Sequence, residues 1–533
     1  MVRGSNGLSL KRGLTSNSVT VFEDNLTPKE NPCSVFQFSN DGHIFAYCDT
    51  RRTRAFQVAT GKDIINVDLK RTKHILFSPR DTHMITFEPY AIYGQKVSPD
   101  QKPDPNMRVY NLVEGKHVAT YIAKRELTWM PQFTDDESVA VRLVGSELLI
   151  HSGCQFEHYD RKLVVPNIAV FAVSPGHAPH HVACYTPAAG STPGRVQIRS
   201  LDSPFVVVAA KNFFKSEKAT LLWNSKGSAL LVLSGTEVDS SNQSYYGEQH
   251  IYLLNVTTQE SFQVNVRKKG PVHAAKWNPT GKEFCVSLFN LRGDETFHTS
   301  EGPRNDVFYN SFGNILLTCG FGNLGKGRME FWDVEKKKQI VAIEVPNTTL
   351  FEWAPDGQHF LTATTTPRLR IDNGYRLWHY SGKLINEVLY DSPNEELWEV
   401  KFRPMAGYNK FEVKDLTLAE LNCAGLLEKK KVSSEPSNNR TVGVAKNAVA
   451  YVPPHLRKNQ GAATTGAAND QSEKQVKMTE TEKKIFTVKK KLKDVSILKA
   501  RLANGEELQA NQLEKIAKEA EFLAQLEVLG GTV

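Results

Sequence analysis

The chain has 533 residues, 40% apolar and 23% charged, with 66 Lys plus Arg against 58 Asp plus Glu and a formal net charge of +8. That is globular composition with a polar lean, and so mild an excess allows an acidic partner such as RNA without demanding one. The seven cysteines (Cys33, Cys48, Cys154, Cys184, Cys285, Cys319, Cys423) are scattered and form no C-x-x-C pair, which argues against a disulfide framework or a zinc site.

No hydrophobic signal core opens the chain, and stretches such as 205–210 fall far short of the ~20 residues of a membrane span. The expectation is a soluble, cytoplasmic protein with no membrane partner.

From the N-terminus, 18–23 reads as a strand, expected to close a ring against the last blade. A repeat then begins. An aromatic or aliphatic residue precedes a short polar turn, often with Pro and Gly, and an apolar strand follows. Copies start at Phe38 (FSNDG), Phe77 (FSPRD), Phe133 (FTDDE), Val173 (VSPGH), Trp223 (WNSKG), Trp277 (WNPTG), Tyr309 (YNSFG), Trp353 (WAPDG) and Phe402 (FRPMA). Their spacings of 39, 56, 40, 50, 54, 32, 44 and 49 residues average about 45, the period of a four-stranded propeller blade.

The turn residues have physical reasons. Pro presets φ, Asp or Asn bonds back to the backbone, and Gly accepts positive φ, so two antiparallel strands can reverse. A second signature follows in several copies, a strand with an aromatic: MRVYNL, HIYLLNV, MEFWDV and YRLWHY, with the propeller "WD" dipeptide at Trp332-Asp333. Nine copies exceed the usual four to eight blades. Two smaller rings would need a linker, and none interrupts 30–420. The expected fold is an all-β propeller of about nine four-stranded blades over 1–428.

From Lys429 the chain is rich in Ser, Asn, Gly, Ala, Thr and Lys, with few aromatics, so 429–478 is expected to be a disordered basic linker. Within it Tyr451, Pro453, Pro454, Leu456 and Arg457, followed by Lys458, form a stiff amphipathic island. That is how linear docking motifs look, with a chance cluster as the alternative. Over 479–533 a C-terminal α-helical segment resumes. Thr479 and Glu482 make a capping box, and Ile485, Val488, Leu492, Val495, Leu498 and Leu502 form one apolar stripe. After Asn504-Gly505 an acidic helix carries Leu513, Ile516, Ala520 and Leu523, so the pair is expected to form a helical hairpin.

Charge is concentrated rather than spread. Residues 1–430 hold 49 basic and 46 acidic side chains, 431–493 hold 13 and 5, and 494–533 hold 4 and 7. The bland reading of Lys483, Lys484, Lys489, Lys490, Lys491 and Lys493 is a solvated helix face. Their density beside a basic arm favours RNA or ribosome binding, with Arg457 and Lys458 in support.

No catalytic constellation stands out, and neither cofactor nor metal is expected. Gly320, Gly325 and Lys326 imitate a phosphate-binding loop, but Gly327 stands where Ser or Thr is needed and a strand follows instead of a helix. His177, His180 and His181 read as a polar loop, with no carboxylate or Cys at ligand spacing. No nucleophile elbow supports a hydrolase.

At GFGNLGKGRMEFWD (320–333), FEWAPDGQHFLTATTTPRLRIDNGYRLWHY (351–380), YVPPHLRK and the final KKKLK…NQLEKI helices, the sequence resembles the eukaryotic translation initiation factor 2A family along its whole length. The last fifty residues are similar to the ribosome-associating segment of an exon-junction-complex disassembly factor. The resemblance implies a nine-bladed WD-repeat propeller with a flexible extension. It implies binding to the small ribosomal subunit and initiator methionyl-tRNA, GTP-independent delivery of that tRNA in specialised or stress initiation, and contacts with mRNA and other initiation factors. The alternative is a non-catalytic WD-repeat interaction scaffold, like the propeller-bearing component of initiation factor 3 or another ribonucleoprotein scaffold. That component carries an RNA-recognition domain before its propeller, where this chain has about 20 residues.

Overall fold

In a computed structural model of the protein, the first eight repeats of the sequence each become one four-stranded antiparallel sheet, and with a ninth sheet they make a β-propeller. The structure describes residues 1–425 except 15–17, 25–31, 91–103, 215, 237–248, 267–271, 273, 286–287, 298, 300–302, 323–324, 391 and 393; beyond 425 it describes 495, 499, 517, 519, 520, 523 and 524. Two compact units divide the chain, Met1–Val432 and Ser433–Val533.

The chain opens with β1 (Val2–Gly4), β2 (Gly7–Arg12) and β3 (Val19–Asp24). Blades 1 to 8 follow in order as β4–β7 (35–67), β8–β11 (74–121), β12–β15 (132–164), β16–β19 (170–213), β20–β23 (218–264), β24–β27 (276–297), β28–β31 (306–344) and β32–β35 (350–389). The last strand, β36 (Leu397–Val400), joins the first three in the order β3-β2-β1-β36 as blade 9.

The repeat falls where the turn chemistry requires. The first eight starting residues, from Phe38 to Trp353, each end the first strand of a blade. The residue after each is a buried Ser, Thr, Asn or Ala, and the polar ones organise the turn through their side chains. Ser39 Oγ, for example, accepts from Ile44 N–H at 2.8 Å, and Asn224 Oδ1 from Ala229 N–H at 3.0 Å. At the other end, the "WD" Asp333 accepts from Glu335 and Lys336 N–H at 3.0 and 2.9 Å, closing the turn between third and fourth strands.

Both faces of most sheets are covered, and this explains why second strands read as apolar runs instead of alternating. All six residues of β29 (Ile315–Gly320) are buried. The core resolves into nine clusters among the described residues, one at each junction between neighbouring blades. At the junction of blades 7 and 8, Leu317, Met329 and Phe331 pack with Phe351, Phe360 and Trp378. In seven blades a bulge shifts the register between third and fourth strands, adding the local twist that turns each outer strand.

Two expectations need correction. The ring does not close on 18–23: β3 is the outermost strand of blade 9, and β1 pairs with β36 through Val2–Val400 and Arg3–Glu399. The N-terminal residues are therefore three of the four strands of a blade, not a segment that precedes the propeller. Phe402, the ninth copy, lies just past β36 and no strand follows it among the described residues, because the strands it would introduce come from the other end of the chain.

Candidate interaction faces

Strand direction alternates, so the propeller has two distinct faces. The turns joining first to second and third to fourth strands lie on one, here the turn face. Connections joining second to third strands, and one blade to the next, lie on the loop face.

On the turn face the chain continues from β36 as a strap without regular structure, then enters α1 (Leu418–Cys423). Arg403 Nε donates to Gly42 O at 2.6 Å in the first turn of blade 1. The strap then crosses blades 7 and 8. Phe411 O accepts from Asn314 Nδ2 at 2.7 Å, and its ring stacks on Tyr380 at 5.6 Å. Val413 is buried at the junction of blades 7 and 8, and its carbonyl accepts from Lys336 Nζ at 2.9 Å. A capping box on Thr417 and Glu420 starts α1. After α1, Gly425 N–H donates to Gly382 O at 2.9 Å. A cleft of about 610 Å³ opens beside the strap between blades 8, 9 and 1, lined by Val2, Leu10, Leu361, Leu377, Phe402 and Tyr408.

The candidates read from sequence separate here. Gly320 ends β29, and Gly325 and Lys326 lie between it and β30 (Arg328–Asp333). Their glycines serve close backbone approach, since a Cβ on Gly320 would sit 2.3 Å from Pro303 O and one on Gly327, at φ +75°, 2.0 Å from Val345 O. A strand, β30, follows this loop where a phosphate-binding loop would lead into a helix.

His177, His180 and His181 lie on the turn side of blade 4, where His180 Nε2 is 3.2 Å from Asp136 Oδ2 of blade 3. Sequence spacing could not show that carboxylate, because it arrives from the neighbouring blade. Among the described residues no group of three His, Cys, Asp or Glu could hold a metal. All seven cysteines are unpaired and six are buried; burial pushes the thiols of Cys33, Cys154, Cys184 and Cys285 up to about 12.

Tyr451, Pro453, Pro454, Leu456, Arg457, Lys458 and the six lysines from Lys483 to Lys493 lie outside the described residues. Within the second unit, Val495 and Lys499 are helical, as are Ala517, Glu519, Ala520, Leu523 and Ala524. Val495 is buried, and Lys499 Nζ pairs with Glu519. No helix of the described residues is long and apolar enough to cross a membrane.

Comparison with known proteins gives this propeller a context. A family model described as "Eukaryotic translation initiation factor eIF2A" matches residues 211–400. Eukaryotic translation initiation factor 2A of Caenorhabditis elegans is 52% identical over 561 residues, covering 99% of this chain and 98% of that one. The Drosophila melanogaster protein of that name is 31% identical over 92% of each chain. A solved structure titled "Crystal structure of the eukaryotic initiation factor" superposes with a TM-score of 0.66 at 28% identity, covering 76% of this chain and 98% of that one. A component of eukaryotic translation initiation factor 3 from Bombyx mori is more distant, 22% identical over 64% of this chain and 53% of that protein.

Fold and relatives together define a translation initiation factor built on a β-propeller. Within that class, the chain belongs to the eukaryotic translation initiation factor 2A family.

Proposed function

We propose that this chain is a non-catalytic cytoplasmic factor that binds the small ribosomal subunit and promotes delivery of initiator methionyl-tRNA without GTP hydrolysis, for specialised or stress initiation. Its near full-length similarity to initiation factor 2A carries this reading. Two features support it. The segment most like a nucleotide-binding loop is a strand-to-strand turn. The excess charge gathers in 431–493, where 13 cations face 5 carboxylates. The rigid propeller docks, and the basic arm with its helical hairpin neutralises phosphates through Lys483, Lys484, Lys489, Lys490, Lys491 and Lys493, with Arg457 and Lys458 adding to it. Tyr451, Pro453, Pro454 and Leu456 anchor a protein partner, mRNA and other initiation factors being the remaining contacts.

The test changes those six lysines to Glu together. Co-sedimentation with small subunits and initiator tRNA should fall about tenfold or more at physiological salt, and unchanged co-sedimentation removes the helix from the binding surface. The likeness to a component of initiation factor 3 favours a second reading, a protein scaffold. A salt titration separates them: RNA-dominated binding drops steeply between about 50 and 200 mM, and protein docking on a propeller much less.

A further inference from the structure

Blades 1 to 3 carry charge on the loop face that the proposed function leaves unused. The second and third strands of blade 1 connect there through 49–52. Residues 68–73 lead into blade 2, and 122–131 lead into blade 3, including the 3-10 turn Glu126–Thr128. These stretches hold Arg51, Arg52, Lys70, Arg71, Lys73, Lys124 and Arg125 against Asp49, Asp68 and Glu126, a net of +4. Residues 1–430 net only +3 in total, so the rest of that span is slightly acidic.

The three loops are tied into one platform. Thr53 Oγ1 lies 2.9 Å from Leu69 O and 2.8 Å from Thr72 Oγ1, joining the first two. Lys73 Nζ reaches Glu126 Oε1 at 2.7 Å, and His74 Nε2 meets the same oxygen at 2.7 Å, joining the third. Beneath them His74 stacks on the buried Trp129 at 5.7 Å, and Trp129 on Phe87 at 4.9 Å.

Each carboxylate already holds a cation: Asp49 with Arg51 at 3.3 Å, Asp68 with Lys70 at 3.4 Å, and Glu126 with Lys73. Arg52, Lys124 and Arg125 have no carboxylate partner among the described residues, and Arg52 Nε is buried with no hydrogen-bond partner there. On the same face, the connections of blades 8 and 9 hold Asp372, Glu395 and Glu396 beside Arg368 and Arg370 and carry no such excess.

We infer that this platform is a phosphate-binding surface that seats an RNA backbone on the propeller itself. The inference rests on the reading of the chain as an RNA-handling initiation factor and adds the face and blades used. Seven cations on a braced base repel one another, and phosphates relieve that repulsion while releasing their own counterions. Arg51, Arg52, Arg71 and Arg125 add planar donor pairs that suit phosphate oxygens. Leu127, 98% exposed in the third loop, supplies apolar contact beside the charges.

The test uses the full chain with Lys70, Arg71, Lys124 and Arg125 changed to Glu, in the native background and with the six tail lysines also changed to Glu. The control changes Lys62, Lys116, Lys226 and Lys282 to Glu on the turn face. The probe is a fluorescent initiator-tRNA transcript followed by anisotropy from about 50 to 200 mM salt. The loop-face variant should bind about tenfold or more weakly in both backgrounds, with the slope of log K against log salt smaller by about three, and the control should bind within about twofold of wild type. If the quadruple variant loses its melting transition, the exposed pair K124Q and R125Q replaces it, with a slope change of about one to two.

Equal binding by the loop-face variant and the control, while wild type binds tRNA, overturns this inference and leaves the proposed function standing. Failure of wild type to bind either tRNA or small subunits overturns both. Unchanged tRNA affinity with lost binding to a poly-Glu peptide overturns it in favour of an acidic protein partner.

Discussion

Asn278 shows what one residue of the repeat does. Its Oδ1 accepts from Thr280 N–H at 3.0 Å and organises its own turn, while its Nδ2 donates to Gly313 O of the next blade at 2.9 Å. Asn224 reaches Gly281 O at 3.0 Å and Asn310 reaches Gly357 O at 2.9 Å, so three successive junctions carry the same staple. The receiving glycines have positive φ, and Asn278 Oδ1 would lie 2.0 Å from a Cβ on Gly313. WNPTG is legible as a turn, but the second bond spans 35 residues and is not. Asn278→Ala leaves a buried carbonyl unpaired and should cost about 1–3 kcal/mol in denaturant unfolding. Asn278→Ser, which keeps a turn acceptor as Ser39 and Ser78 do but loses the donor to Gly313, should cost less than Ala yet still destabilise; a Ser variant as stable as wild type would deny the staple its share.

At the same scale, Glu352 is a carboxyl pushed up to about 7, chiefly by burial; the Phe402 N–H bond, Lys401 and the Met1 amino group oppose the shift and Glu399 adds to it. Between its ordinary 4.5 and about 7 the folded chain keeps a proton that the unfolded chain has released. Stability therefore falls as pH rises through that window, by ~3 kcal/mol if this group acts alone. Glu352→Gln should flatten the slope and raise the melting temperature above pH 7. A wild-type slope persisting in the variant would assign the effect elsewhere.

At the scale of elements, closure decides whether blade 9 exists. Leu8 on β2 is 2% exposed and packs with Phe36 and Phe45 of blade 1, while Phe22 on β3 lies 5.0 Å from the Phe56 ring. Leu8→Ala should destabilise by about 2–5 kcal/mol. Deleting 1–24 removes three of four strands and exposes that flank, so the melting temperature should fall well below that of Leu8→Ala. A deletion as stable as the full chain would refute the pairing of β1 with β36. The strap belongs to this scale too. Its contacts with Asn314, Lys336 and Tyr380 hold chain past the last strand against two blades, and nothing in FRPMA announces that path.

For the molecule as a whole, the sequence alone determined the blade number to within about one, the apolar second strands and the partition of charge, and it carried the family resemblance. Turn chemistry acts over four to six neighbouring residues, and charges sum without knowledge of position, so both survive in one dimension. The tertiary structure decided which strand closes the ring, which carbonyl each Asn meets, how His180 finds Asp136, and how three loops from blades 1 to 3 become one cationic platform. Each is a meeting of residues far apart in the chain, and Val2 finds Val400 only once nine sheets have turned full circle.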